Sequence, residues 1–412
     1  MTTQGRVGQE HRERVLTLLR DGRQVTRRQI ADDLGIARST VSDVLSDLLD
    51  EGAVVVARQD RRRQGRGRPA ELLSIDPAAS HFMGVEFTHL RVFVVVVNAS
   101  RDVIASGHRE YLSGATWRER LRVAFDLGDS LAGQAGVHFS TLQGVAVGLP
   151  GRNSAGWDEL VIDSSSAAYG RVAESLAEAF QARYGTPVLV DHHIRYAALA
   201  ESFWEHPTAS NLIYLRLSHG IGGALVTHGQ PVHGVRGMAG ELGHVIVDRS
   251  PDARLCRCGR RGCLESIASV DAIVESCQAA GLEVATIDDV ALAARRGRDQ
   301  AAAAAAIDRA VLAVGQVLAA AVTMADPAEI VLGGELASAV PNLSERVQAS
   351  LARECFAPEE LPTVRITRLG EEAAALGGVA ALLAKSSGRP VSTRWVPAQA
   401  AEGEAQHART VS

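Results

Sequence analysis

The spacing of apolar positions divides the chain into a short helical front, a long alternation of strands and helices, and a tail without pattern. Val15, Leu16, Leu18 and Leu19 recur at helical spacing, and Gly22 ends that segment. Thr26 is placed to cap a second helix over 27–34, whose Ile30, Ala31 and Leu34 share a face. After a turn at Gly35 to Ala37, residues 38–51 predict a third helix with Val41, Val44, Leu45, Leu48 and Leu49 inward and Gly52 as its stop. Strands at 54–56 and 72–75 then flank an arginine-dense stretch.

Asp76 and Pro77 open a larger body. Residues 82–87, 90–97 and 103–107 read as three consecutive strands before a helix around 117–133, and 211–217, 222–227 and 230–232 form a second strand cluster. Helical patterning dominates 267–325, Glu329 to Gly334 is a buried strand, and 371–385 makes a last helix. Pattern alone supports an α/β class. The expected divisions are a head at 1–75, a body at 76–385 and a disordered tail at 386–412.

Charge sharpens the contrast between head and body. Residues 1–75 carry 14 Arg against 11 Asp and Glu, a balance of +3, so the rest carries −8 of the net −5. A mildly basic front on an acidic body suits a nucleic-acid reader attached to a sensing or catalytic module. The three helices have helix-turn-helix spacing, with Arg38, Ser39, Thr40 and Ser42 at the start of the third, where base edges and phosphates are met, and Thr26 at the start of the second. Arg61, Arg62 and Arg63, with Arg66-Gly-Arg68-Pro, then form the tip of a wing suited to backbone phosphates and narrow minor grooves. Double-stranded DNA is the expected partner. No unbroken apolar run reaches the ~20 residues that span a bilayer, and no signal peptide is evident, so no membrane is expected. Five cysteines, an odd number, and a thiol-rich cluster favour the reducing cytoplasm.

That cluster is the most specific chemistry in the chain. Cys256, Cys258 and Cys263 form a Cys-x-Cys-x4-Cys array, with His244 a hairpin upstream and Gly259 and Gly262 letting the chain turn tightly. Three thiolates and one imidazole are the closed shell of a structural zinc, with no position left for a catalytic water. Glu241 and Glu265 bracket the array, and carboxylates beside a rigid knot suit hydroxyl recognition.

Glu241-Leu-Gly-His244, followed by the three cysteines and Leu264-Glu265 and preceded by Gly220-Ile-Gly-Gly223, resembles the ROK family of repressors, open reading frames and sugar kinases. The resemblance implies a two-lobe actin-like, ribonuclease-H-like body behind the winged helix-turn-helix, with ligand in the cleft between lobes. It also implies structural zinc on His244, Cys256, Cys258 and Cys263, and sugar hydroxyls met by Glu241, His244 and Glu265. Two family elements are altered. Glu86-Phe-Thr-His89 stands in place of the Asp-x-Gly-Gly-Thr phosphate turn, where Phe87 and His89 are expected to obstruct phosphate. His192, His193 and Arg195 replace the asparagine, catalytic aspartate and second asparagine that follow Asp191. The expectation is a regulator, a repressor with a kinase site reused for sensing. His192, His193 and Arg195 would add cationic contacts to a sugar or sugar-phosphate effector, and the chain would act as a homodimer or a dimer of dimers. A sugar kinase with an accessory DNA-binding segment and a ligand-independent DNA binder are the competing classes.

Overall fold

The computed structural model describes residues 11, 14–15, 18–19, 24–50, 54–59, 71–75, 80–99, 101–137, 139–151, 166–205, 211–295, 300–356, 359–386 and 394–396. Arg61, Arg62, Arg63, Arg66 and Arg68 lie outside them.

In the head, Thr26 and Gln29 form a reciprocal capping box. The Gln29 N–H donates to Thr26 Oγ1 at 3.3 Å and the Thr26 N–H to Gln29 Oε1 at 2.9 Å, fixing the start of α1, Arg27–Leu34. Gly35, at φ 64°, closes it and turns the chain into α2, Arg38–Asp50. Strands β1, Val54–Gln59, and β2, Glu71–Ile75, pair antiparallel, and Val25 bridges to Leu73 beside them. Val15, Leu19, Ile30, Val41, Leu45, Leu48, Val54 and Leu73 close one small core. Val44 and Leu49 are only partly buried.

The body is built twice on one plan. In the first lobe β3, His81–Phe87, β4, Arg91–Asn98, and β5, Val103–Glu110, form an antiparallel meander. Next come α3, Trp117–Ala135, then β6, Leu142–Leu149, then α4, Ser166–Tyr184, and β7, Val188–His192, with β6 parallel to β3 and β7 parallel to β6. After α5, His193–Ala200, the second lobe repeats the plan with β8, Leu212–Leu217, β9, Ile221–Thr227, and the short β10, Gln230–Pro231. Strands β11, Glu329–Gly333, and β12, Thr363–Ile366, then add on parallel. The sheet orders β5-β4-β3-β6-β7 and β10-β9-β8-β11-β12 are therefore equivalent. The two-lobe expectation holds.

Burial on both sheet faces explains the apolar run of β4. Val92, Val94 and Val96 pack with α3 and α4, while Val95 and Val97 face a core shared by both lobes. That shared core is filled by α5 and by α12, Ala373–Ser386, and takes Leu212, Tyr214 and Val331 from the second sheet. Between the sheets' strands the second lobe also carries α6, Glu265–Ala268, α7, Val270–Ala279, α8, Ile287–Ala293, α9, Gln300–Ala325, α10, Glu335–Ala339, and α11, Leu343–Glu354. α9 has the length and hydropathy of a membrane-crossing helix, but 61% of its most apolar stretch is buried against the second lobe, as in a core helix. Within the tail expected to be disordered, Arg394–Val396 forms β13, antiparallel to β7 at the sheet edge, and the remainder beyond Ser386 lies outside the described residues.

Candidate functional site

The Cys-rich segment doubles back twice on itself. Leu242–His244 forms a single 3-10 turn, Ile246 bridges to Cys263, and Leu255 bridges to Arg261. Gly262, at φ 74°, passes so close to Asp248 that a Cβ would collide with that carbonyl. One ring nitrogen of His244 and the Sγ atoms of Cys256, Cys258 and Cys263 consequently lie within 4.8 Å of one another. Cys256 Sγ is 3.6 Å from His244 Nδ1, and Cys258 Sγ is 3.6 Å from Cys263 Sγ. The sulfurs are too far apart for a disulfide, at about 2.05 Å. Tetrahedral zinc, with metal–sulfur bonds of about 2.3 Å, sets its ligand atoms about 3.7 Å apart, which this shell matches. Burial pushes the Cys256 thiol up to about 12, so a thiolate there needs a cation beside it. The donor set fits a metal ion.

Glu265 ties this knuckle to the second sheet. Its Oε2 accepts from the Ile221 N–H at 3.0 Å and from Arg257 Nη2 at 2.7 Å, and its Oε1 lies 3.6 Å from Cys256 Sγ. Glu265 is buried, and its carboxylate is engaged on both oxygens between the cysteine cluster and the second sheet. Glu241 is half-buried and its carboxylate carries no hydrogen bond among the described residues.

At the junction of the lobes, side chains meet that sequence spacing did not bring together. The fully buried Glu86 at the end of β3 faces His193 Nδ1 at 3.0 Å and Arg216 Nη1 at 3.2 Å through the same oxygen, Oε1. Burial lowers the pKa of His193, and the Glu86 carboxylate only partly offsets this. Asp191 accepts from Arg195 Nε at 2.7 Å, from the His192 N–H at 2.7 Å and from His233 Nε2 at 2.7 Å. Burial would raise the Asp191 pKa, but Arg195 and His233 outweigh it and hold it at about 2. Arg195 is itself buried, with Nη1 donating to Gly237 O at 3.2 Å. His192 caps α5, accepting the Ile194 N–H at Nδ1. Of the three cationic replacements, His193 and Arg195 thus serve buried carboxylates.

The expected obstruction of the phosphate turn is corrected in one respect. Phe87 turns into the first-lobe core, edge-on to Trp117 at 5.3 Å and to Phe180 at 6.4 Å, and does not fill the cleft. Strand alternation puts it on the face of Met83 and Val85, opposite Glu86. His89, beyond the strand, is exposed. Arg216, His233 and Arg120 take their places through contacts with distant segments, and no local signal in the sequence marks them. In the head, Arg38, Ser39 and Ser42 are exposed on the first turns of α2, Thr40 is half-buried, and the Thr26 hydroxyl is engaged in its cap.

Residues 93–386 match the family model described as ROK family. The chain is 27% identical over 263 residues to a xylose repressor of Caldicellulosiruptor bescii, a match that spans 63% of this chain and 64% of that repressor's length. It is 26% identical over 345 residues to the DNA-binding transcriptional repressor Mlc of Escherichia coli, covering 78% of this chain and 80% of Mlc. Among solved structures, a ROK hexokinase from Thermus thermophilus superimposes with a TM-score of 0.59 at 25% identity, covering 73% of this chain and 97% of the hexokinase. Repressors and a kinase therefore share this two-lobe body, and the chain belongs to the ROK family.

Proposed function

We propose that this chain is a DNA-binding transcriptional regulator, a repressor of carbohydrate-related genes, whose cleft has lost kinase chemistry. The observation that carries this reading is the cluster of Glu86, His193 and Arg216. Glu86 keeps the carboxylate of the family's Asp-x-Gly-Gly-Thr turn, but its Oε1 is taken up by His193 and Arg216, and His89 stands where a glycine would let phosphate approach. His193 stands at the position of the catalytic aspartate, with Nδ1 engaged by Glu86 rather than by a sugar hydroxyl.

The head supplies the output. Exposed Arg38, Ser39 and Ser42, with Thr40, sit at the start of α2 as base-edge and phosphate contacts, Thr26 lies at the start of α1, and Arg61, Arg62, Arg63, Arg66 and Arg68 would grip the backbone and minor groove. Zinc held by His244, Cys256, Cys258 and Cys263 would be structural, since protein fills all four positions. Such thiolate ligands suit the reducing cytoplasm. Two heads in a homodimer, or four in a dimer of dimers, would read half-sites about 34–36 Å apart. A sugar or sugar-phosphate effector that prefers one arrangement of the lobes would change the spacing of the heads and release the operator.

Selection of bound genomic fragments by the purified chain should recover a two-fold symmetric site. Arg38→Ala should weaken that site by about 1–3 kcal/mol while changing nonspecific binding less, read by fluorescence anisotropy. Absence of sequence-preferring DNA binding would refute the regulator. ADP release across common hexoses should stay at the rate of buffer alone, and robust turnover lost in His193→Ala would establish the kinase instead.

A further inference from the structure

Three contacts at the junction run from one lobe to the other, and each is made by the chain's own groups. Asp191, at the end of β7 and 4% exposed, lies 2.7 Å from Nε2 of His233, which follows β10 of the second sheet. Arg195, bound to the same Asp191, donates through Nη1 to Gly237 O at 3.2 Å. Glu86, near the end of β3, accepts from Arg216 of β8 at 3.2 Å. The His233 ring is caught between two oxygens, because its Nδ1 lies 3.1 Å from Pro231 O. Only a ring with a proton on each nitrogen donates to both, which makes the contact with Asp191 a charge-assisted one.

The segment caught in this way is compact and pinned at both ends. The Ala239 N–H donates to His233 O at 3.2 Å and the Gly237 N–H to Gly234 O at 3.4 Å, so residues 233–239 close on themselves. Gly240, at φ 87°, then lies so close to β9 that a Cβ would strike Gly223 O. One end of the segment therefore belongs to the second sheet, while His233 and Gly237 are held from the first lobe and α5. The far end of α5 is fixed as well. Glu201, fully buried just beyond it, accepts from Arg365 Nη1 of β12 at 2.8 Å, and Arg365 Nε donates to Glu329 of β11 at 2.8 Å. With that end clamped to the second sheet, parting the lobes has to break the bonds at Asp191, Arg195 and Glu86. Those join buried charges, whose attraction water screens little.

We propose that residues 233–240 form an intramolecular strap that holds the two lobes closed through Asp191 and Arg195, so that closure is the resting arrangement of this body. The strap stands whatever the cleft binds. In the sensing reading above, it is the contact that a signal has to release before the heads can move.

The distance between spin labels on unnatural side chains at Arg122 of α3 and Glu345 of α11, both exposed and one on each lobe, tests the strap in the full chain without added ligand. Wild-type protein should give one narrow distribution. His233→Ala should broaden it and shift it to longer distances, and should raise hydrogen exchange at the Ala239 amide. Asp191→Asn keeps the size of the side chain and removes its charge, so it repeats the test without a cavity. Combining the two substitutions should open the lobes no further than either alone, since both cut the same tie. A broad wild-type distribution, or an unchanged one in both single variants, would overturn the proposal. Operator binding by the same samples reports on the regulator separately: a chain that holds DNA with freely parting lobes sinks only the strap, and a closed chain that ignores DNA sinks only the regulator.

Discussion

Arg216 Nη1 lies 3.2 Å from Glu86 Oε1, and removing the arginine leaves the fully buried Glu86 without a cation, held only by His193 Nδ1. Arg216→Met should destabilise the chain by about 3–5 kcal/mol in chemical denaturation, the cost of an uncompensated buried carboxylate. A loss of under about 1 kcal/mol would mean that water relieves Glu86. Asp191 gives a pH signature. Its carboxyl is lowered from 3.8 to about 2, so its pairing with Arg195 and His233 stabilises the folded state fully above about pH 4 and is lost as pH falls toward about 2. Asp191→Asn should flatten the acid limb of the stability profile across that window. The substitutions at His192, His193 and Arg195 were legible against the family pattern, but their partners were not. Glu86 is 107 residues from His193 and 130 from Arg216, and nothing local encodes such meetings. The orientation of Phe87 was legible, because period-two alternation already groups it with Met83 and Val85.

The helices that join the lobes depend on glycine at a close crossing. A Cβ on Gly377 of α12 would overlap the backbone carbonyl of Tyr196 in α5, and one on Gly84 of β3 would meet Ala375 O of α12. Gly377→Ala should therefore cost about 1–3 kcal/mol and lower the thermal midpoint, since rigid backbone stands in the way. Gly133→Ala, on an exposed part of α3 with open space around it, should instead be neutral or stabilising by up to about 1 kcal/mol. Equal effects at both positions would show that the crossing is looser than drawn. Elements with strong local signals were found in sequence: the capped head helices, the meander strands and the Ala-rich α9. The parallel strands β6, β7 and β12 and helix α4 carry weaker local signals. Each pairs with or packs on chain far away, and β12 has only four residues.

The repeated sheet orders make the body two copies of one plan that share the core filled by α5 and α12, with the His244 and cysteine cluster on the second lobe and tied through Glu265 to β9. Metal loss should therefore be felt at the cleft. Cys258→Ser should lose the bound ion, measured by elemental analysis, and should raise hydrogen exchange at the Ile221 amide, which Glu265 holds. Retention of one ion per chain in that variant would remove Cys258 from the ligand set.

Contiguous motifs and periodicity by themselves determined the helices and paired strands of the head, the α/β body and the grouping of His244 with Cys256, Cys258 and Cys263, because capping, strand alternation and a tight Cys-Gly hairpin are local and survive in the order of residues. Only the tertiary structure decided which carboxylate faces which cation, and that the buried Arg120 packs against Tyr111 and Trp117 with its Nη1 lacking an acceptor among the described residues. Those outcomes depend on burial and on contacts between distant segments, where the cost of an enclosed charge selects its partner and sequence distance carries no information.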